Sequence, residues 1–201
     1  MAIGPIVQQP AARGGELLRR ARGGDGRAFE ELAREAEAGL YRHVLRIVGT
    51  PAEAEDVVQD AFISAWRSVG AFQGGSFRAW LFRIATNRSI DLIRARRRRG
   101  ELPLEPPDGA EIEWAEPVAE GPDPVEIASR GEALAVVEEA LGGVPAEQRA
   151  ALLLRDVEGF SYEEIARITA VEVGTVKSRI HRARTAVRNV LMQRGWKGPA
   201  G

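Results

Sequence analysis

Between residues 101 and 124 the chain reads ELPLEPPDGAEIEWAEPVAEGPDP, and this stretch limits what the whole chain can fold into. It holds Pro103, Pro106, Pro107, Pro117, Pro122 and Pro124 among many carboxylates and few aliphatic residues. Such a segment cannot bury enough apolar surface to offset the entropy of ordering it, so it predicts an extended or mobile linker over 101–129. The remaining length suits two small domains. The expected division is a tail and short helix over 1–24, a domain over 25–100, a second over 130–193, and a tail over 194–201.

The same boundary resolves the charge. A formal net charge of −1 hides three blocks. Residues 13–100 carry 17 arginines against 11 acids, a net of +6, and residues 144–201 carry 10 Lys and Arg against 6 acids, a net of +4. Between them, residues 101–143 carry 12 acids and only Arg130, a net of −11. Two basic blocks flank an acidic one, a pattern that directs attention to nucleic acid.

Both flanks read as helical, because Val, Ile and Phe show no sustained alternation. Helices are expected near 15–22 and 26–48. Thr50-Pro51-Ala52-Glu53 has the form of a capping box with proline at the first helical position, opening a helix to about Val69. Gly74-Gly75-Ser76 forms a loop, and Ser76 can cap a long helix toward Arg99. A helix from near Pro124 ends at Gly142-Gly143, and Val144-Pro145 starts another through Arg155. Ser161-Tyr162-Glu163-Glu164 is a second capping box, with Gly159 ending the preceding helix. The expected class is all-α.

Three faces carry candidate chemistry. In the last helix, about Val173 to Met192, Val176, Ile180, Ala183, Val187 and Val190 form an apolar stripe. Opposite lie Lys177, Ser178, His181, Arg182, Thr185 and Arg188, with Arg179 and Arg184 on the shoulders, and no acid follows Glu172. Such a face suits phosphate neutralisation and base-edge contacts in a major groove. By charge alone it is equally a solvated surface. A short helix Tyr162–Thr169 and a turn at Ala170-Val171 precede it, and this helix-turn-helix spacing favours DNA.

In the long helix from Ser76, Phe77, Leu81, Ile84, Ala85 and Leu92 form one apolar face, with Phe82 and Ile93 at another buried edge. A stripe of Trp80, Asn87, Asp91 and Arg94 could stack on an unpaired base and bond base edges. Taken alone, the stripe reads more readily as a core residue, Trp80, beside a polar surface one, Asn87; five arginines within 94–99 shift the balance toward a phosphate partner. In the helix from Pro51, Ala54, Val58, Ala61, Phe62, Ala65 and Val69 turn inward. Asp56, Asp60 and Ile63 lie outward, flanked by Glu53, Gln59 and Arg67. That acidic face is wrong for DNA and suits a basic protein surface, and it reads equally as solvated.

Several classes are set aside. Cysteine is absent, which excludes disulfides and thiolate metal sites and fits a reducing cytoplasm. No apolar run approaches a membrane span, and the first residues lack a signal-peptide pattern. There is no phosphate-binding Gly-x-x-x-x-Gly-Lys loop, no His-Glu-x-x-His and no Gly-x-Ser-x-Gly. His43, in the first half, is expected in the core or on a helix surface, far in sequence from His181. No enzyme, metal or cofactor is expected.

These residues resemble a known family. AEAEDVVQDAFISAW (52–66) resembles the core-polymerase-binding helix of extracytoplasmic-function (ECF) sigma factors. SFRAWLFRIATNRSIDLIRARRR (76–98) is similar to the family's promoter-melting and -10-reading region. VPAEQRAALLLRDVEGFSYEEIARITAVEVGTVKSRIHRAR (144–184) is similar to its fourth region with the recognition helix. The resemblance implies a subunit that binds core RNA polymerase, recognises promoter DNA, melts it without ATP and answers to an anti-sigma factor.

By that resemblance Asp56, Gln59, Asp60 and Ile63 would meet the clamp of the largest polymerase subunit. Ser76, Trp80, Asn87, Arg88, Asp91 and Arg94 would serve the -10 element, with a flipped base held at the Gly74–Ser76 loop. Lys177, Ser178, His181 and Arg182 would read the -35 element, with Thr175, Arg179 and Arg184 on the same DNA. The acidic linker would pass through the polymerase cleft among basic walls. Departures from the family pattern are Ala170 where glycine is usual, Glu172 where proline is common, and His181 at a variable base-reading position. An operator-binding helix-turn-helix regulator is the alternative, as is a sigma-like mimic that sequesters an anti-sigma factor.

Overall fold

Helix boundaries follow from the local punctuation. The computed structural model describes residues 10–102 and 130–194, and every regular element among them is helical. The linker expected at 101–129 falls almost wholly outside the described residues, as does the expected helix start near Pro124. The helices are α1 (Pro10–Arg22), α2 (Gly26–Val48), α3 (Pro51–Ser68), α4 (Phe77–Arg98), α5 (Arg130–Gly142), α6 (Ala146–Leu152), α7 (Tyr162–Thr169) and α8 (Val173–Gln193). A 3₁₀ turn, Val69–Ala71, closes α3, and a π-helical turn, Leu153–Val157, closes α6. The single helix expected from Pro145 to Arg155 thus widens in its last turn.

Each cap has a physical cause. The Asp25 carboxylate accepts from the amides of Arg27 and Ala28 at 3.0 and 3.1 Å, opening α2. Ser76 accepts from the Ala79 amide at 3.2 Å, as expected for α4. Ser161 and Glu164 form a full capping box on α7, at 3.2 and 2.9 Å. The Thr50 box does not form. Its hydroxyl instead donates to the Glu53 carboxylate at 2.7 Å, because that carboxylate is drawn to Arg96 at 2.9 Å. Proline at the first position remains the start signal.

In the first half, Leu40, Val44 and Ile47 of α2 pack on Ala54, Ala61 and Ala65 of α3 and on Leu81, Phe82 and Ala85 of α4. Alanines on the inner stripe of α3 let the helix axes approach closely. In the second half, α5, α6 and α7 all pack on α8, burying Leu153, Leu154, Ile165, Ile168, Val176 and Ile180.

The halves also touch, with α4 against α6 and α7 and α2 against α6. Phe82 meets the Phe160 ring edge-on at 5.3 Å. The Arg78 guanidinium lies 4.7 Å from the Phe82 ring and 4.5 Å from that of Phe160. It bonds the Glu158 carboxylate and, at 3.1 Å, the Glu158 carbonyl. Burial raises the Glu158 carboxyl above its ordinary range, opposed by the charge of Arg78. Arg94 pairs with Glu147 at 2.8 Å, and Arg149 donates to the Arg46 carbonyl at 3.3 Å.

Ala170 is the one non-glycine residue at positive φ among those described, at φ 54°, ψ 43°. It closes α7 with its amide on the Ala166 carbonyl. The left-handed region costs an L-residue about 1–2 kcal/mol, while the unfolded freedom of glycine costs about 0.5–1 kcal/mol. Ala170→Gly is therefore expected to stabilise the chain by roughly 0.5–1 kcal/mol in urea unfolding. A lower unfolding midpoint would mean that the turn is not strained.

Candidate nucleic-acid interfaces

The helix-turn-helix presents α8 through three packed neighbours. Lys177 and His181 are exposed, and Thr175, Ser178 and Arg182 are half-buried on the same outer side. The Ser178 hydroxyl donates to the Thr175 carbonyl at 2.9 Å, which orients it along the helix. The Lys177 ammonium lies 5.9 Å from the Tyr162 ring, tying α8 to the start of α7. Arg182 makes no ion pair among the described residues.

Two of the expected cations stand differently. Arg184 is exposed but held by both oxygens of Asp156, at 2.6 and 3.0 Å. Arg179 is only 7% exposed. Packing against α5, α6 and α7 together widens the buried arc of α8 beyond a single apolar stripe, and this arc takes in the shoulder where Arg179 sits. In this conformation Arg179 is not on the open face with Lys177 and Arg182.

At the start of α4 the loop needs its glycines, since Gly74 and Gly75 adopt φ of 112° and 93°. Trp80 is half-buried, with its ring 4.9 Å from Phe72 and 5.8 Å from Phe77. The rest of its surface is open, so it belongs partly to the core and partly to the stripe. Asn87, Arg88, Asp91 and Arg94 are all exposed along one side. Arg88 bonds Asp60 at 2.6 Å, and Arg94 reaches Asp91 at 3.6 Å besides Glu147. Within the polybasic run, Arg96 binds Glu53 and Arg99 binds Glu101.

On α3, Asp56, Gln59 and Asp60 are exposed and Ile63 is 41% exposed. A groove of about 640 Å³ runs between α2 and α3 over Ala38, Tyr41, Val58 and Phe62, with Gln59 on its rim. Sequence reasoning missed Trp66, one turn beyond Ile63, which is also 41% exposed. Its spacing from Ile63 was the available signal. No group of three or more potential metal ligands occurs among the described residues, and no described helix is long and apolar enough to cross a membrane.

His43 is a core residue, fully enclosed beside Phe82 at 5.2 Å. Its Nε2 shares a 2.9 Å hydrogen bond with the Thr86 hydroxyl, and Nδ1 has no partner. Burial, with Arg78 and Arg46 nearby, lowers its pKa to about 3. The folded imidazole stays neutral while the unfolded one takes a proton below about pH 6.5. Its stabilising contribution is complete above that pH and falls by about 1.4 kcal/mol per pH unit as pH drops toward 3. His43→Gln should flatten the loss of stability between pH 7.5 and 5.5 by about 1.4 kcal/mol in urea unfolding. An unchanged difference would show that other groups govern it.

The comparisons divide along the same line as the charge. Residues 32–99 match the family model for Sigma-70 region 2, and residues 134–187 that for Sigma-70, region 4. The chain is 40% identical over 166 residues to the ECF RNA polymerase sigma factor SigE of Mycolicibacterium smegmatis, covering 82% of this chain and 62% of that relative's length. It is 38% identical over 180 residues to the RNA polymerase sigma-H factor of Pseudomonas aeruginosa, covering 88% of this chain and 92% of that one. The ECF RNA polymerase sigma-E factor of Escherichia coli K12 is 37% identical over 177 residues, with 86% and 91% covered. Among solved structures, the sigma factor RpoE bound to the anti-sigma factor NepR from Bartonella quintana aligns at a TM-score of 0.62 and 32% identity, covering 82% and 96%. CnrH bound to the cytosolic domain of CnrY aligns at 0.65 and 28%, covering 90% and 98%.

Proposed function

This chain belongs to the ECF sigma factors of bacterial RNA polymerase, and from that premise we propose that it assigns its tasks to three separate helix faces. It binds core RNA polymerase and directs initiation at promoters with -10 and -35 elements. Asp56, Gln59, Asp60 and Ile63 on α3 dock the clamp of the largest subunit. Ser76, Trp80, Asn87, Arg88, Asp91 and Arg94 serve the -10 element and strand separation. Thr175, Lys177, Ser178, His181 and Arg182 on α8 serve the -35 element, and Arg179 and Arg184 join them once freed from their present contacts. The units are 25–100 and 130–193, and the acidic 101–129 runs through the polymerase cleft.

The observation that carries this reading is the sorting of charge by face. The exposed acids Asp56 and Asp60 lead up to Ile63 on the outer side of α3, whereas α8 turns Lys177, His181 and Arg182 outward and has no acid after Glu172. Phosphates are attracted to the second and repelled by the first. Melting costs a few kcal/mol per unstacked base, and the Trp80 ring and loop contacts offset it. An anti-sigma factor is the expected regulator, the place of action is the cytoplasm, and the chain itself catalyses no reaction. The operator-binding reading explains only the second half, whereas the relatives extend across both.

Asp60→Arg is expected to weaken assembly with core polymerase roughly 10- to 100-fold in a fluorescence titration, since like charges set face to face cost several kcal/mol. Asp56→Arg leaves the Asp60–Arg88 pair intact and should act in the same direction. Normal assembly by both variants would remove the acidic face from core binding.

A further inference from the structure

The corner between α1 and α2 precedes the region 2 match, which begins at residue 32, and none of the three faces above uses it. α1 packs along α2 and against the 3₁₀ turn Val69–Ala71, which feeds the Gly74–Ser76 loop. A Cβ placed on Gly70 would lie 3.8 Å from the Arg22 carbonyl oxygen, and one on Gly26 would lie 3.8 Å from the edge of the Trp66 ring. Residues 22–27 therefore sit over the C-terminal end of α3, close to the segment that enters the loop.

The arginines here fall into two groups. Arg13, Arg19 and Arg20 are each tied to a carboxylate, on Glu31, Glu16 and Asp25 respectively. Arg22, Arg27 and Arg67 are exposed and make no ion pair among the described residues. Beside them stands Trp66, its ring tilted 57° on Phe29 at 5.2 Å with part of the indole open.

Charge also reverses along α3. Its outer stripe runs from Asp56 and Asp60 through Ile63 to Trp66 and Arg67, from acid to base. A basic protein surface that fits Asp56 and Asp60 would be repelled by Arg22, Arg27 and Arg67. Phosphates would be attracted. An open aromatic ring among unpaired cations is suited to a stacked base on a single strand.

We propose that Arg22, Arg27, Arg67 and Trp66 form a single-stranded DNA site. It takes the unpaired promoter strand where this leaves the Gly74–Ser76 loop, away from the polybasic end of α4. The site rests on the reading of that loop as the place where a base is captured.

The test uses holoenzyme, assembled from core polymerase and the full chain, and two fork DNAs. In one the unpaired strand stops at the captured base; in the other it continues for about eight nucleotides, within the span such sites cover. Wild type should bind the longer DNA more tightly. The double variant Arg22→Glu, Arg27→Glu should lose that gain, by about tenfold, and should lower the slope of log K against log salt by about 1.4, at about 0.7 per phosphate. On the shorter DNA it should match wild type. Trp66→Leu should reduce the gain and Trp66→Phe should keep most of it.

No loss on the longer DNA, or an equal loss on both, overturns the proposal. Failure of the charge-reversed variant to assemble with core assigns the corner to protein docking and overturns it as well. If wild type prefers neither fork over a scrambled control, the loop reading falls, and this site with it.

Discussion

Phe82→Ala is expected to cost the folded chain about 3–5 kcal/mol, a large part of the stability of a protein this size. Phe82 has no exposed surface and sits where three contacts converge. Its ring touches His43, meets Phe160 edge-on and lies beneath the Arg78 guanidinium. Truncation leaves a void between α2 and α4 and removes one wall of the slot that holds Arg78 against Glu158. The change thus weakens both the first core and the junction between halves. Urea unfolding reads the first effect, and faster amide exchange in α7 reads the second. A loss below about 1 kcal/mol would mean that the site collapses freely around the smaller side chain.

Arg182→Ala is expected to weaken promoter binding by roughly 1–3 kcal/mol on the matched -35 sequence and little on a permuted one. Arg182 is half-buried on the outer side of α8, follows His181, and is not held by a carboxylate among the described residues. Arg184 differs in already donating from Nε and Nη2 to the two Asp156 oxygens, so its loss should matter less at the base edges. Affinities of holoenzyme for the two DNAs decide the point. An equal loss on every sequence would make Arg182 a phosphate contact only.

Local chemistry made much of the fold legible in advance. Pro51 at a first helical position, Ser76 as a cap, Ser161 with Glu164 as a capping box and Gly159 at positive φ act within a few residues, and each was readable from spacing. Ala170, at positive φ, stood out only through the family resemblance, as an alanine where glycine is usual. Pairings between distant residues were not. Arg88 with Asp60, Arg94 with Glu147 and Arg78 with Glu158 join positions 28, 53 and 80 apart, and their meeting depends on helix crossing angles. Arg179 illustrates the same limit on one helix. Periodicity placed it on a shoulder, but the number of neighbours around α8 decided whether that shoulder was open.

These pairings alter the account of the DNA faces. In the free chain Arg88 is engaged by Asp60, a residue of the proposed core-binding face, and Arg94 by Glu147 of the second half. The exposed Arg88–Asp60 pair contributes about 0–1 kcal/mol, so a competing partner can replace it at little cost; the Arg94–Glu147 pair, with Glu147 only 14% exposed, is not of this kind.

The most direct test is run-off transcription with purified core polymerase, the full chain and a library of paired -10 and -35 sequences. Initiation should depend on the chain, select particular bases in both elements, and fail when either element is scrambled. Initiation indifferent to sequence, or none at all together with tight binding of the chain alone to a symmetric duplex, would contradict the account.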